Sequence, residues 1–265
     1  MEVRGKRALL TGATGGIGVA IARSLAARGA ELLLSARREP QLRDLATSLP
    51  GEEHRWLVAD LAADDAVERI AAEAAGADIL VANAGIPGGG RLERMTPEQV
   101  DLVLRVNLTV PVRLAHAMLG GMLDRASGQL VFIGSLQSKA AMPRSSLYSA
   151  TKFGLRGFAL SLRQDLAGTG VGVSMVLPGF VRDAGMFADS GATPPLGLGT
   201  VTPEEVGEAV AGAVERDRAE VEIAPLQQRI AAGIAHRRPH LAARVTGRRA
   251  GKVADQVVEG QANKR

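Results

Sequence analysis

Arg7 to Gly29 reads RALLTGATGGIGVAIARSLAARG, and this stretch decides the fold. Arg7-Ala8-Leu9-Leu10 is a short apolar strand that runs directly into Thr11-Gly12-Ala13-Thr14-Gly15-Gly16-Ile17-Gly18. Behind the glycines, apolar Val19, Ile21, Ala22 and Leu25 recur at helical spacing until Gly29 closes the segment. Glycines let a backbone approach a pyrophosphate, while the start of the helix offers unpaired N–H groups and the positive end of its dipole. The spacing is T-G-x-x-x-G-x-G rather than the more usual G-x-G-x-x-G. Glycines in an isolated loop are turn formers; with a strand before and a helix behind, they point to a dinucleotide.

The next segment, Ala30-Glu31-Leu32-Leu33-Leu34-Ser35-Ala36, reads as a second strand ending in Arg37-Arg38. A fold that binds NAD usually places an acid here to hold the ribose 2′-OH. That acid is missing, Ala36 is small, and guanidinium groups pair well with phosphate. NADP(H) is therefore favoured, with NAD(H) as the alternative. The same doubled arginine also fits a solvated start to a surface helix.

Trp56-Leu57-Val58-Ala59-Asp60 predicts a third strand, and Asp78-Ile79-Leu80-Val81-Ala82 a fourth, followed by the short residues Asn83-Ala84-Gly85. Thr96-Pro97-Glu98-Gln99 and Thr202-Pro203-Glu204-Glu205 are twin helix starts, with Thr as N-cap and Gln or Glu three residues on. The first opens a helix that passes through Asn107 into VPVRLAHAMLGGML; an asparagine there costs propensity, and surface exposure is the plainest reason for it. Further strands fall at LVFIGS (130–135), Val171–Leu177 and Val221–Ala224. Residues 184–200, rich in Gly and Pro, read as a long loop of the lid or disordered kind. Strands alternating with helices predict an α/β protein with one doubly wound parallel sheet of about seven strands and helices on both faces.

Chemistry concentrates in Ser135–Lys152, SLQSKAAMPRSSLYSATK. Tyr148 and Lys152 stand one above the other on a helix. A phenol ionises near pH ~10 in water, and an ammonium held close is expected to bring that value down. Ser135 closes an apolar run at the carboxyl end of a buried strand, where ligands sit in parallel sheets. A hydroxyl donor, a tunable phenol and a lysine are the equipment of carbonyl reduction or alcohol oxidation, although Y-x-x-x-K alone also arises by chance.

Cysteine is absent, which excludes disulfides and thiolate metal sites and fits a reducing cytosol. No metal site is expected. No signal peptide precedes the first strand, and no apolar run approaches the ~18 residues of a membrane span, so a soluble, cytoplasmic protein is expected. The formal charge is +4, but nine basic and two acidic residues lie in 226–265, leaving the first 225 residues at −3. The basicity belongs to the tail, so no nucleic-acid partner is indicated. Leu226, Ile230 and Ile234 form one helical stripe beside Arg237 and Arg238, with Leu241, Val245, Arg244, Arg248 and Arg249 beyond Pro239. The stripe is expected to pack on a neighbouring subunit, with solvated disorder beyond about Gly247; contact with an anionic membrane surface is the other reading.

Taken in order, these motifs resemble the classical short-chain dehydrogenase/reductase family over about residues 5 to 225. The resemblance rests on Gly12, Gly16 and Gly18, Asn83-Ala84-Gly85, Ser135, Tyr148 with Lys152, and Pro178-Gly179. It implies a Rossmann-like catalytic domain over 1–225, while the charge pattern makes 226–265 a basic extension, partly helical with a disordered end. It further implies Tyr148 as acid/base, Ser135 at the same substrate oxygen, Lys152 at the nicotinamide ribose, and Asn107 supporting a water that leads to the lysine. The expected cofactor residues are Gly12, Thr14, Gly16, Ile17, Gly18, Arg37, Arg38, Asp60, Leu61, Asn83, Ala84, Gly85, Tyr148, Lys152, Pro178, Gly179 and Val181. Asp60 is implied at the adenine and Val181 at the carboxamide. The family's extended branch of nucleotide-sugar enzymes typically carries T-G-x-x-G-x-x-G and a larger C-terminal domain, and this chain has neither.

The expected activity is interconversion of a carbonyl and a secondary alcohol by hydride transfer, in a homodimer or homotetramer. Leu136, Met142, Leu147, Phe180, Met186 and Phe187 are the expected pocket residues, all apolar, which points to an apolar ketone or alcohol. A sensor or scaffold that only binds NADP(H) is the alternative. One departure stands out: Asp183 occupies a position where the family commonly has a threonine near the cofactor phosphates, and it needs Arg182 as a partner or a turned-away side chain.

Overall fold

The structure is a computed structural model and describes residues 1–194, 197–240 and 254–260. Seven strands form one sheet: β1 (Arg7–Thr11), β2 (Glu31–Ala36), β3 (Arg55–Val58), β4 (Ile79–Ala82), β5 (Gly128–Ile133), β6 (Val171–Pro178) and β7 (Glu220–Ile223). Their order is β3-β2-β1-β4-β5-β6-β7, and every pairing is parallel. The direction of winding reverses between β1 and β4. Crevices at such a switch point, outside the carboxyl ends of the strands, are where ligands bind.

Helices α1 (Gly16–Ala26), α2 (Glu39–Ser48), α3 (Ala66–Glu73), α4 (Pro97–Leu104), α5 (Val110–Asp124), α6 (Ser146–Asp165), α7 (Gly185–Ala188), α8 (Pro203–Arg216) and α9 (Leu226–Arg237) complete the described body. The central strands are buried on both faces, so they are continuously apolar rather than alternating. Side-chain direction still alternates. Leu9, Leu80, Phe132 and Met175 point to the layer containing α5 and α6, while Leu10, Val81, Val131 and Val176 point to the layer of α1 and α8. Both expected capping boxes form: Gln99 N donates to Thr96 Oγ1 at 3.3 Å, and Glu205 N to Thr202 Oγ1 at 3.0 Å.

The long helical stretch Pro97–Asp124 contains a feature the sequence reading did not anticipate. Between α4 and α5, Arg105–Thr109 forms a turn of π-helix. By length and apolar content this stretch would pass for a membrane span. Val103, Val106, Val110, Leu114, Met118 and Met122 are buried, and all but Val103 belong to one core cluster, so it is a core helix.

The C-terminal region folds back onto the body. Ala232 of α9 enters the core, but the stripe Leu226, Ile230 and Ile234 faces outward, about half exposed. Residues 254–260 are helical, with Ala254 buried, so the solvated disorder expected beyond Gly247 does not hold for them. Leu241, Arg244, Val245, Arg248 and Arg249 lie outside the described residues.

Candidate active site

The glycine turn after β1 is held by Asn83, just beyond β4, and by Thr11 at the end of β1. Gly12 has φ +65°, and a Cβ there would lie 2.8 Å from Ala84 Cα. Asn83 Nδ2 donates to the carbonyls of Thr11 and Gly12, each at 3.1 Å, and Thr11 Oγ1 accepts from the backbone of both Asn83 and Ala84. The Asn83-Ala84-Gly85 segment thus locks the turn as well as passing beside it. At Gly18 a Cβ would overlap the carbonyl oxygen of Gly12, so the helix can start this close only with glycine. Thr14 and Ile17 are partly exposed around that N-terminus, and Ile17 meets Gly185 of α7.

Arg37 and Arg38 are exposed at the carboxyl end of β2, and among the described residues neither guanidinium has an ion-pair partner. They remain available to a phosphate. Asp60 follows β3 and accepts from Ala62 N at 3.0 Å, which fixes its carboxylate in a local turn, with Leu61 buried behind it. At the end of β6, Pro178 and Val181 are buried and Gly179 lies between them. Asp183 pairs with Arg182 Nε at 3.3 Å, and its side chain is 72 % exposed, so it is both partnered and turned out. Ala184, next in the chain, is the residue that covers Gly16.

Ser135 caps the turn that follows β5, accepting from Gln137 N at 3.1 Å. Its hydroxyl interacts with the Tyr148 phenol on α6. One turn further on, Lys152 Nζ lies 5.6 Å from the Tyr148 ring centroid and donates to Ile133 O at 2.9 Å. Lys152 is only 3 % exposed, and burial lowers its pKa to about 8. Its ammonium charge is therefore present below that pH and lost above it.

The phenol behaves differently from the sequence expectation. Burial pushes Tyr148 up to about 12, against a lowering contribution from Ser135. Taking a phenolate out of water costs more than the hydroxyl returns. With Lys152 beside the ring face and bonded to Ile133 O, the lysine does not reverse this. Tyr148 is consequently a protonated phenol at neutral pH, the form that donates.

Asn107 is fully buried rather than surface-exposed. Its Oδ1 accepts from Ile86 N at 2.8 Å and its Nδ2 donates to Ile86 O at 2.9 Å. The π turn explains how a mid-helix asparagine reaches a strand-end loop: one extra residue widens the turn and redirects the side chain, as such turns do at functional sites. Asn107 Oδ1, Lys152 Nζ and Met186 Cε lie 3.4, 3.9 and 3.7 Å from where a Cβ on Gly85 would stand. Three elements distant in sequence therefore meet around one glycine.

Among the expected pocket residues, Phe180 and Phe187 stack with centroids 4.5 Å apart, and Met142 and Met186 are partly exposed. Leu147 and Leu136 are buried, and Leu136 belongs to the core rather than to an open wall. The sequence reading missed Gln228 on α9. Its Oε1 accepts from Phe180 N at 3.2 Å, and its Nε2 donates to Leu198 O and Gly199 O, each at 2.9 Å. A glutamine on the helix face opposite the apolar stripe carried no signal of this.

A glycine cradle under a helix start, unpaired arginines at the end of β2 and a buried lysine beside a phenol together fit a nicotinamide dinucleotide. The family model for short chain dehydrogenase matches residues 6–194. The chain belongs to the short-chain dehydrogenase family, and it is an oxidoreductase acting on alcohol and carbonyl groups. Nodulation protein G of Rhizobium sp. (strain N33) is 40% identical over 187 residues, 69% of this chain and 76% of that protein. Ketoacyl reductase HetN of Nostoc sp. is 33% identical over 223 residues, 82% of this chain and 78% of the relative. Among solved structures, a metagenomic short-chain oxidoreductase in complex with NADP aligns with a TM-score of 0.73 at 31% identity, covering 85% of this chain and 99% of its own.

Proposed function

We propose that this protein is an NADP(H)-dependent reductase of ketones carried on apolar small molecules, with Asn107, Ser135, Tyr148 and Lys152 as its active-site residues. The observation that carries this reading is that Asn107 and Lys152 converge on Gly85, after β4, while Lys152 and Ser135, after β5, both face Tyr148. The unpaired Arg37 and Arg38 support NADP(H) over NAD(H), as does the NADP complex of the solved relative. Bound NADPH supplies a hydride to the carbonyl carbon.

The chain's own residues manage the oxygen and the proton. Tyr148 gives its phenolic proton to the carbonyl oxygen as the alcohol forms, and its raised pKa keeps that proton in place at neutral pH. Ser135 donates to the same oxygen and stabilises the charge that develops there. Lys152 keeps two N–H groups after serving Ile133 O, one for the cofactor ribose and one towards the route by which Tyr148 recovers its proton. Asn107 binds both polar groups of the Ile86 peptide and so fixes the Asn83-Ala84-Gly85 segment against the lysine.

Met142, Leu147, Phe180, Met186 and Phe187 favour an apolar substrate, and the ketoacyl reductase relative makes β-ketoacyl compounds the class to assay first. Residues 1–225 form the catalytic body and 226–265 an extension, of which α9 and residues 254–260 pack against that body. Leu123 of α5 and Phe153 of α6 are exposed, as is the α9 stripe, which supports a homo-oligomer. A cytoplasmic location accords with the absence of cysteine. The test is Tyr148→Phe, which keeps the ring and removes the proton. Turnover of a ketone reduced by the wild type should fall by ~10²–10⁴, with NADPH affinity unchanged. Wild-type turnover by the Phe variant would overturn the assignment.

A further inference from the structure

Residues 254–260 dock beside the cleft rather than at a distance from it. Asp255 Oδ1 pairs with Arg144 Nε at 2.8 Å. Val258 lies against Gly89: a Cβ built on that glycine would stand 3.3 Å from Val258 Cγ2. At the other end of the turn, Gly260 packs on the backbone of Ser190, closely enough that a Cβ there would overlap the Ser190 carbonyl.

These anchors lie on two separate loops, the first of them against Tyr148. A Cβ on Gly88 would stand 3.2 Å from Tyr148 N, and Gly90 N donates to Arg144 O, so the 88–90 and 144–145 loops form one rim. Ser190 belongs to the other rim, where its Oγ donates to Phe187 O at 2.6 Å and Phe187 stacks on Phe180. Arg144 sits at φ 58°, a left-handed conformation rare for a residue with a side chain, and that backbone setting accompanies its ion pair with Asp255. The segment is also two-faced. Ala254 is buried and Val257 and Val258 are partly so, while Asp255, Gln256 and Glu259 face water.

We infer that residues 254–260 are a wall of the substrate site, and that Val258, held over Gly89 by the Arg144–Asp255 pair, sets the largest substrate that turns over with the wall in place. The inference rests on the ketone-reductase reading. Arg144 and Asp255 are substantially exposed, and exposed pairs are weak and screened by salt, so the wall is easily displaced. A small ketone enters beside it; a long acyl chain must push it aside.

The absence of cysteine gives a clean test in the full chain. Gly89 has no positive φ to forbid a side chain, and a Cβ there would lie 3.3 Å from Val258 Cγ2, the place a cysteine sulfur at 258 can take, which brings the two side chains within reach of a bridge. Gly89→Cys with Val258→Cys should cross-link on mild oxidation of the folded protein, read by intact mass and peptide mapping. Turnover of ethyl acetoacetate should then persist within about threefold, while that of a long-chain β-ketoacyl thioester falls at least about tenfold and returns with dithiothreitol. Failure to cross-link overturns the inference, and so does a locked enzyme that handles both substrates as the reduced one does, or that loses both equally. A wild type inert towards both ketones would sink the reductase reading instead, and the cross-link yield would still decide whether the wall docks where we infer.

Discussion

The cofactor half of the cleft and the substrate half are built in opposite ways. Around the cofactor, the key atoms come from contiguous sequence: strand, glycine turn and helix start lie within Arg7–Ala26, locked by Asn83 and Thr11. Around the proposed substrate site, the rims come from residues 88–90, 142–147, 180–190 and 254–260, joined by the Arg144–Asp255 pair and by Gln228. A contiguous motif tolerates little change because its atoms already touch. A wall assembled from distant segments can be retuned one contact at a time. The difference teaches where variation in this fold is cheap.

The largest break in that comparison should come at Gly18. Gly18→Val places carbon against the Gly12 carbonyl and within 2.9 Å of Ala13 Cα, both backbone atoms with little room to move. Overpacking of this kind costs about 1–3 kcal/mol, and because the strain falls on the phosphate turn, NADPH affinity should drop by about 10- to 100-fold. Isothermal titration and a thermal melt together check both parts. Titration that returns wild-type affinity would mean the turn is softer than its contacts imply.

A smaller effect, confined to the same half, is expected at the end of β2. Ala36→Asp with Arg37→Ile supplies an acceptor for a ribose hydroxyl and removes a phosphate clamp. Charged hydrogen bonds contribute about 1.5–3 kcal/mol each, so the ratio of NADPH to NADH affinity should fall by roughly tenfold or more. Equal affinities in the wild type would remove the basis for the preference altogether.

The smallest effect sharpens the other side of the comparison. Gln228→Leu removes three hydrogen bonds that tie Phe180, Leu198 and Gly199 together. Unpaired polar groups left behind cost about 1–3 kcal/mol. The melt should shift down by a few degrees, and KM for the ketone should rise while NADPH affinity holds. An equal loss in both binding steps would show that the two halves are less separable than their construction suggests.

What could be read from the sequence follows the same division. The glycine turn, the Ser135–Tyr148–Lys152 set and the doubly wound sheet were legible because local patterns carry them and strand ends converge by rule. Asn107 was legible only through family resemblance. Its burial depends on the π turn, which no residue pattern in RVNLT announces. The direction of the Tyr148 shift was misread because i,i+4 spacing reveals a neighbour but not the loss of water around a phenol that is only partly exposed. The α9 stripe suggested a buried face, yet Gln228 and Ala232 are the residues turned inward. Residues 254–260 were passed over because their apolar face, Ala254, Val257 and Val258, spans only about two helical turns inside a basic tail.

The π turn also has a bearing on how this chain can change in length. Loops usually absorb insertions and deletions, and core helices reject them because a one-residue change rotates everything beyond it by about 100°. At Arg105–Thr109 the chain already carries that extra residue inside a core helix. Losing one residue there would make the backbone more regular and swing Asn107 away from Ile86. Local regularity and chemistry thus pull against each other at this point, and the irregular form is the one that keeps the asparagine in place.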